Sequence, residues 1–371
     1  MILLDVCELI VDCPHSTAND EGAGYPLIRT PNVGKGRLIL DGVHRVSKQV
    51  YDVRNARAVP KAGDLILARE APAGNVAIIL DGQEVCLGQR TVLIRPDKSK
   101  VNPQYLTYYL LAPYAQHELT SAANGATVAH VNMPKIRGLK INLPDIQEQN
   151  RIAGILSAYD DLIATNQKQI ALLEEAAQRI YKEWFIDFRF PGYEGTTFDN
   201  GIPIEWHYGE LGEVAQFRRG KTITKDDAIA GDVPVIAGGL TPAYYHNQSN
   251  TSAPVVTVSG SGANAGFTRM YHIRVWASDC SFIDSFSTRF IYFVYCYLKA
   301  NKQSIDNLQK GSAQPHVYAK DLNQLRALIP SLDIVESFHE LVKPLFDRIA
   351  TLEKQVLLLT EARERILPQL I

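Results

Sequence analysis

"IATNQKQIALLEEAAQRI", from Ile163 to Ile180, and "IATLEKQVLLLTEARERI", from Ile349 to Ile366, share eleven of eighteen residues. Unrelated stretches of ordinary composition would share roughly one. The offset is 186 residues (349 − 163), and it holds upstream without a gap: Gly125 meets Gly311, His130 meets His316, Val131 meets Val317, Leu139 meets Leu325 and Pro144 meets Pro330. A weaker match pairs "LDVCELI" (Leu4–Ile10) with "LGEVAQF" (Leu211–Phe217) at an offset of 207, so the first half holds about twenty extra residues in its variable part. The repeat sets the architecture before any motif does.

Both repeated stretches read as long helices. Pro144 precedes a capping box, Asp145-Ile-Gln-Glu148, and Pro330 precedes Ser331 as an N-cap. Apolar residues recur in sevens: Leu156, Ile163, Ile170, Ala177 and Trp184 form one seam, with Tyr159, Asn166, Leu173 and Ile180 beside it. The second helix supplies Val342, Ile349 and Val356, with Leu345, Leu352, Leu359 and Ile366. A heptad pattern over several repeats predicts a coiled coil, with polar Asn166 fixing register opposite Leu352 in the repeat. Pro344 is expected to kink or interrupt the second helix.

The predicted fold is mixed α/β: a globular domain over 1–143, a long helix over 144–189, a second globular domain over 190–329 and a second long helix over 330–371. If the helices pair antiparallel, the heads fall at opposite ends of a spacer, since about forty residues span roughly 60 Å. Two similar but unequal heads suit a two-part, asymmetric site, as dimeric readers suit the local twofold axes of duplex DNA.

Composition excludes little else. The 371 residues carry 38 Lys+Arg against 40 Asp+Glu, a formal charge of −2 that names no partner. No apolar run is long enough for a membrane span, and the N-terminus lacks a signal peptide's regions. Five cysteines (7, 13, 86, 280 and 296), with no Cys-x-x-Cys among them, fit a reducing cytoplasm. Cys7, Cys13 and His15 are not completed into a metal site by a second cluster. Residues 1–143 hold 16 basic against 13 acidic side chains and 190–329 hold 12 against 12, while the two helical stretches together hold 10 against 15. That division suits heads on phosphates and a spacer held off them, though solvated helix faces explain it nearly as well.

The stretch "LPDIQEQNRIAGILSAYDDLIATNQKQIALLEEAAQRIYKEWFIDFRFPGYE" (Leu143–Glu194) resembles the central conserved region of type I restriction–modification specificity subunits. "GSAQPHVYAKDLNQLRALIPSLD" (Gly311–Asp333), "GELGEVAQFRRGKT" (Gly209–Thr222), "DCPHST" and "YPLIRTPNVGKGRL" carry the resemblance over essentially the whole chain. It implies two target-recognition domains, each reading half of a bipartite double-stranded DNA site. It also implies an antiparallel coiled coil that spaces the halves and docks two modification (methyltransferase) subunits, joined by restriction subunits. S-adenosylmethionine, ATP and Mg are then expected in those partners and no cofactor or metal in this chain. The chain shows no Asn-Pro-Pro-Phe/Tyr motif and no Walker A loop, so catalysis is expected elsewhere. Two assemblies stay open, a complete restriction complex and a methylation-only one, as does a coiled-coil scaffold that binds no DNA. A self-sufficient enzyme using "SGSGANAGF" (Ser259–Phe267) as a nucleotide loop is the remaining rival, although no helix or ribose-binding acid follows it in the proper pattern.

Residues shared by the halves should serve the frame, and residues that differ should carry base readout. Arg69, within "LAREAPAGNVAI" (Leu67–Ile78), is the first base-reading candidate, followed by Lys35, Arg37, Gln89, Arg90 and Arg269. In "RRGKT", Arg218, Arg219, Lys221 and Thr222 are DNA-contact candidates against a plain basic turn, and Asn264 joins them from the glycine-rich loop. His130 and His316 either touch DNA or brace a shared loop. Trp184, Phe185, Phe188 and Phe190 read as core joining helix to head, with a role in docking the modification subunit as the sharper alternative.

Overall fold

The computed structural model describes residues 1–121, 130–311 and 314–371, so Gly125 lies outside the described residues. The first half opens with β1 (Cys7–Asp12), β2 (Tyr25–Ile28), β3 (Gly36–Arg37), β4 (Arg45–Val46) and α1 (Lys48–Arg54). It continues through β5 (Leu65–Ala68), β6 (Val76–Ile78), β7 (Cys86–Leu87) and β8 (Thr91–Pro96). Three short helices, α2 (Pro103–Leu111), α3 (Pro113–Thr120) and α4 (Met133–Arg137), lead into the long α5 (Ile146–Phe185). The second half begins with β9 (Phe198–Asp199), β10 (Ile202–Pro203), β11 (His207–Glu210), β12 (Arg218–Arg219), β13 (Val233–Ile236) and β14 (Tyr244–His246). Then come β15 (Val255–Ser259), β16 (Thr268–Tyr271), β17 (Trp276–Ala277) and β18 (Cys280–Asp284). Helices α6 (Ile291–Ala300), α7 (Lys302–Asp306) and α8 (Ala319–Asn323), strand β19 (Arg326–Ile329) and the long α9 (Leu332–Leu370) complete it.

The chain divides into two compact units. Unit 1 is Met1–Thr165 with Gln355–Ile371, and unit 2 is Asn166–Lys354. Each long helix therefore gives one end to each unit.

Unit 1 holds a five-stranded sheet in the order β1-β8-β5-β6-β3 and a three-stranded sheet in the order β4-β2-β7. The β5 run "LILA" is apolar at every position because both sheet faces are covered. Leu65 and Leu67 face a core with Tyr105, Leu106, Ile152 and Leu156, while Ile66 and Ala68 face a second core with Ala77, Ile79 and Leu93. Helix α2 starts where Asn102 Oδ1 accepts the Tyr105 amide at 2.9 Å, with Pro103 just inside.

Unit 2 repeats this plan. Its four-stranded sheet runs β12-β18-β15-β16, and its three-stranded sheet runs β14-β13-β17. In both small sheets the central strand pairs antiparallel on one side and parallel on the other. The strand β3 and helix α1, both between β2 and β5, have no counterpart between β13 and β15, which places the extra residues of the first half. The "SGSGANAGF" stretch is the turn of an antiparallel hairpin between β15 and β16.

The helix ends follow local chemistry. Asp145 Oδ1 accepts the Glu148 amide at 2.9 Å and so caps α5, but the Glu148 carboxylate turns to Arg151 at 2.8 and 2.6 Å instead of closing the box. Ser331 does not cap α9 through its side chain: its hydroxyl is buried without a partner, and only its carbonyl accepts, from the Val335 amide at 3.2 Å. Nor does Pro344 interrupt α9, which is continuous from Leu332 to Leu370. Pro344 is exposed, away from the packed stripe of Val342, Phe346 and Ile349, whose contacts hold the helix on either side.

Within unit 2, Phe338 meets Tyr181 and Trp184 at ring distances of 6.0 and 5.8 Å, while Arg348 donates to Gln169 at 3.5 Å. Rising numbers on one helix meet falling numbers on the other, so the helices there are antiparallel. Among the heptad residues, Leu156, Asn166, Ala177, Trp184, Val342, Ile349 and Leu352 are buried. Ile163, Ile170, Leu173, Ile180, Val356, Leu359 and Ile366 are half-buried. Trp184, Phe185 and Phe190 are buried in the unit 2 core, with Phe188 packed against it. Among the described residues no helix is long and apolar enough to cross a membrane.

Candidate nucleic-acid interface

In unit 1 a polar network gathers where β1, β5 and β8 run out. Arg69 follows β5 and is 8% exposed. Its Nη1 donates to both carboxylate oxygens of Asp12 at 2.9 and 2.8 Å, and its Nε donates to the Val131 carbonyl at 2.8 Å. Its Nη2 lies 2.8 Å from His130 Nε2. Arginine only donates, so Nε2 accepts, and the ring proton sits on Nδ1, donating to Glu70 Oε1 at 2.7 Å. The other oxygen of Glu70 holds Arg90 at 2.6 Å. Gln89 donates to the His15 carbonyl at 2.8 Å. Arg90 takes φ 64°, which few non-glycine residues adopt, and its amide donates to Cys13 Sγ at 3.0 Å. Burial, above all, pushes the Cys13 thiol up.

The structure thus brings Arg69, Gln89, Arg90 and His130 together and adds two acids, Asp12 and Glu70, that the sequence did not single out. Lys35 and Arg37 lie elsewhere in unit 1, against the helices. Arg37 pairs with Asp161 of α5, and Lys35 is 3.8 Å from Glu364 of α9.

In unit 2 the corresponding loops carry other side chains. Arg219 donates to Asp279 Oδ1 at 3.2 Å, and the Ser261 hydroxyl donates to the other oxygen of Asp279. Asn264 donates to the Gly238 carbonyl at 3.3 Å and Arg269 to the Leu240 carbonyl at 3.2 Å, so both brace the loop after β13. Arg269 also lies over the Tyr271 ring at 5.0 Å. The His316 ring stacks on Tyr318, with centroids 5.8 Å apart. Its backbone pairs with Lys310 through both N–H and C=O at 2.9 Å.

Arg218 points away from this group, to Asp284 at 3.1 Å and over Phe282 at 4.9 Å. Lys221 and Thr222 are exposed in the next loop, which the Lys221 amide ties to the Ala277 carbonyl at 2.9 Å. Gly220 is required by close approach: a Cβ there would meet the Ser278 carbonyl oxygen at 2.2 Å.

The two networks occupy one backbone frame. The Val131 amide donates to the Arg69 carbonyl at 2.9 Å, and the Val317 amide to the Gly260 carbonyl at 3.1 Å. The Arg69 amide donates to Arg90 and the Gly260 amide to Asp279, at 2.8 and 3.1 Å. Cys13 donates to Thr91, and Gly220 to Cys280, at 3.1 and 2.8 Å. On this register Arg69 matches Gly260, Glu70 matches Ser261, Arg90 matches Asp279, Asp12 matches Arg219 and His130 matches His316. The bonds are kept, and apart from the histidine and the valine beside it the side chains are exchanged.

Comparison with known proteins follows the same duplication. The type I restriction modification DNA specificity domain matches residues 3–175 and again 203–359. The chain belongs to the type I restriction–modification specificity family. Members work with DNA and with other subunits of a type I complex. This specificity subunit is similar to the type I restriction enzyme MjaIX specificity subunit of Methanocaldococcus jannaschii, 26% identical over 90% of this chain and 82% of that one. It is similar also to the putative MjaX specificity subunit of the same organism, 26% identical over 100% of this chain and 91% of that one. Its fold matches the crystal structure of a type I S subunit from M. genitalium with a TM-score of 0.57 at 15% identity, covering 100% and 95% of the two chains.

Proposed function

We propose that unit 1 and unit 2 each read one half of a bipartite, asymmetric DNA site. The globular parts, 1–143 and 190–329, are the reading domains, and the helical stretches, 144–189 and 330–371, set the spacing and dock two methyltransferase subunits. Restriction subunits join them in the cytoplasm. The chain itself is non-catalytic in this reading, and S-adenosylmethionine, ATP and Mg serve the partner subunits. One observation carries it: the same backbone hydrogen bonds recur in both units while most of the side chains on them differ. A frame kept and a surface changed is what two readers of unlike half-sites require.

The test is to reconstitute this chain with its modification subunits and map methylated adenines on random duplex DNA. Two short specified segments flanking a fixed unspecified gap are expected. A single uninterrupted site, or methylation indifferent to this chain, would overturn the reading.

A further inference from the structure

The backbone register exposes a charge reversal. At the end of β1 unit 1 carries Asp12, where unit 2 carries Arg219 at the end of β12. At the position preceding β8 unit 1 carries Arg90, where unit 2 carries Asp279 before β18. Both members of the second pair are accessible: the Arg90 side chain is 63% exposed and that of Asp279 is 32% exposed. Each is held by its matched neighbour, Glu70 for Arg90 and Ser261 for Asp279, and Asp279 also accepts from the exposed Arg219. Arg69 has no counterpart side chain, since Gly260 stands in its place, and its own donors are taken internally.

We propose that Arg90 and Asp279 are equivalent specificity-determining residues, each reading one base pair of its own half-site with opposite chemistry. The proposal rests on the reading of the two units as half-site readers. A guanidinium donates, and guanine offers O6 and N7 as acceptors in the major groove. A carboxylate accepts, and cytosine offers its N4 amino group, adenine its N6. Arg90 therefore selects guanine, and Asp279 selects a base with an exocyclic amino group. Glu70 and Ser261 act as positioning residues that fix the direction of the reading group.

The experiment uses the complex with modification subunits and a library of duplexes randomised across both half-sites, scored for methylation. Arg90→Gln should flatten base preference by roughly ten- to a hundred-fold at one base pair of one half-site and leave the other half-site unchanged. Asp279→Asn, which keeps a side chain of the same shape, should do the same at one base pair of the other half-site. The exchange Arg219→Asp with Asp279→Arg keeps the pair, and so the local fold, while turning the preference at that base pair toward guanine. Variants that fold normally by circular dichroism but weaken methylation evenly over all sequences would overturn the proposal, because a positioning contact acts that way. Unchanged preference in all three variants would overturn it too. A wild-type complex with no two-part preference would instead bring down the half-site reading on which the proposal stands.

Discussion

Asp160 of α5 is 4% exposed and lies in unit 1 with one oxygen on the Tyr108 hydroxyl at 2.7 Å and the other on Arg363 of α9 at 2.6 Å. Removing one member strands a charge in the interior. Arg363→Ala should therefore cost roughly 3–5 kcal/mol in urea unfolding. Replacing the whole group by Asp160→Leu, Arg363→Met and Tyr108→Phe should cost less than that single change. A smaller loss for Arg363→Ala than for the triple variant would mean the pair is not buried as described. Nothing in the heptad pattern announced this group, because an aspartate one residue off the seam reads as solvated. Asp12 and Asp279 were hidden differently. The 207-residue offset already aligned Asp12 with Arg219, but a repeat is recognised by identities, and a reversed charge registers there as a mismatch.

Buried and half-buried thiols, together with buried phenols, give the protein an alkaline limit. Burial pushes Cys7 and Cys280 up to about 12 and Cys86 to about 11, and it pushes Tyr105, Tyr292 and Tyr297 to about 12. The ordinary values are 9.0 for the thiols and 10.0 for the phenols, so the unfolded chain releases these protons first as pH rises. Their contribution is complete below pH 9 and is lost through the range up to about 12. Midpoints of thermal unfolding should be flat from pH 7 to pH 9 with respect to these groups and fall above it. A rise above pH 10 would contradict the burial.

The long helices were the most legible elements. Eleven identities in eighteen residues fixed their existence, and heptads fixed the packed stripe. Their starts were less legible: Asp145 caps α5, but Ser331 leaves its hydroxyl unused, since a serine before a helix signals a cap only if its side chain can swing back to the first turn. The strands were harder still, because several are two-residue segments whose pairing is decided by neighbours distant in sequence. Inserting seven residues at matched points in both α5 and α9 keeps the seam in phase and adds roughly 10 Å, or about three base pairs of duplex. Methylation mapping should show the gap lengthened and both half-sites intact. A change in the specified bases would refute the spacer role of the helices.

At the scale of the molecule, the shared frame predicts modularity. Exchanging 190–329 for the matching region of a relative with another target should alter one half of the methylated sequence only; alteration of both halves would show that the units do not read independently. The sequence made the duplication plain, yet the depth of the equivalence appears only in the backbone bonds that match Arg69 to Gly260 and Arg90 to Asp279.

The division of the chain has a bearing on how the protein comes into being. Unit 2 is one uninterrupted segment, Asn166–Lys354, whereas unit 1 needs Gln355–Ile371, which closes on its core through Ile366, Leu367 and Leu370. Those residues leave the ribosome after everything else in the unit they complete. The half made first must wait with part of its apolar surface open while the half made second is already whole, and it is the earlier-made half that chaperones and proteases will meet unfinished.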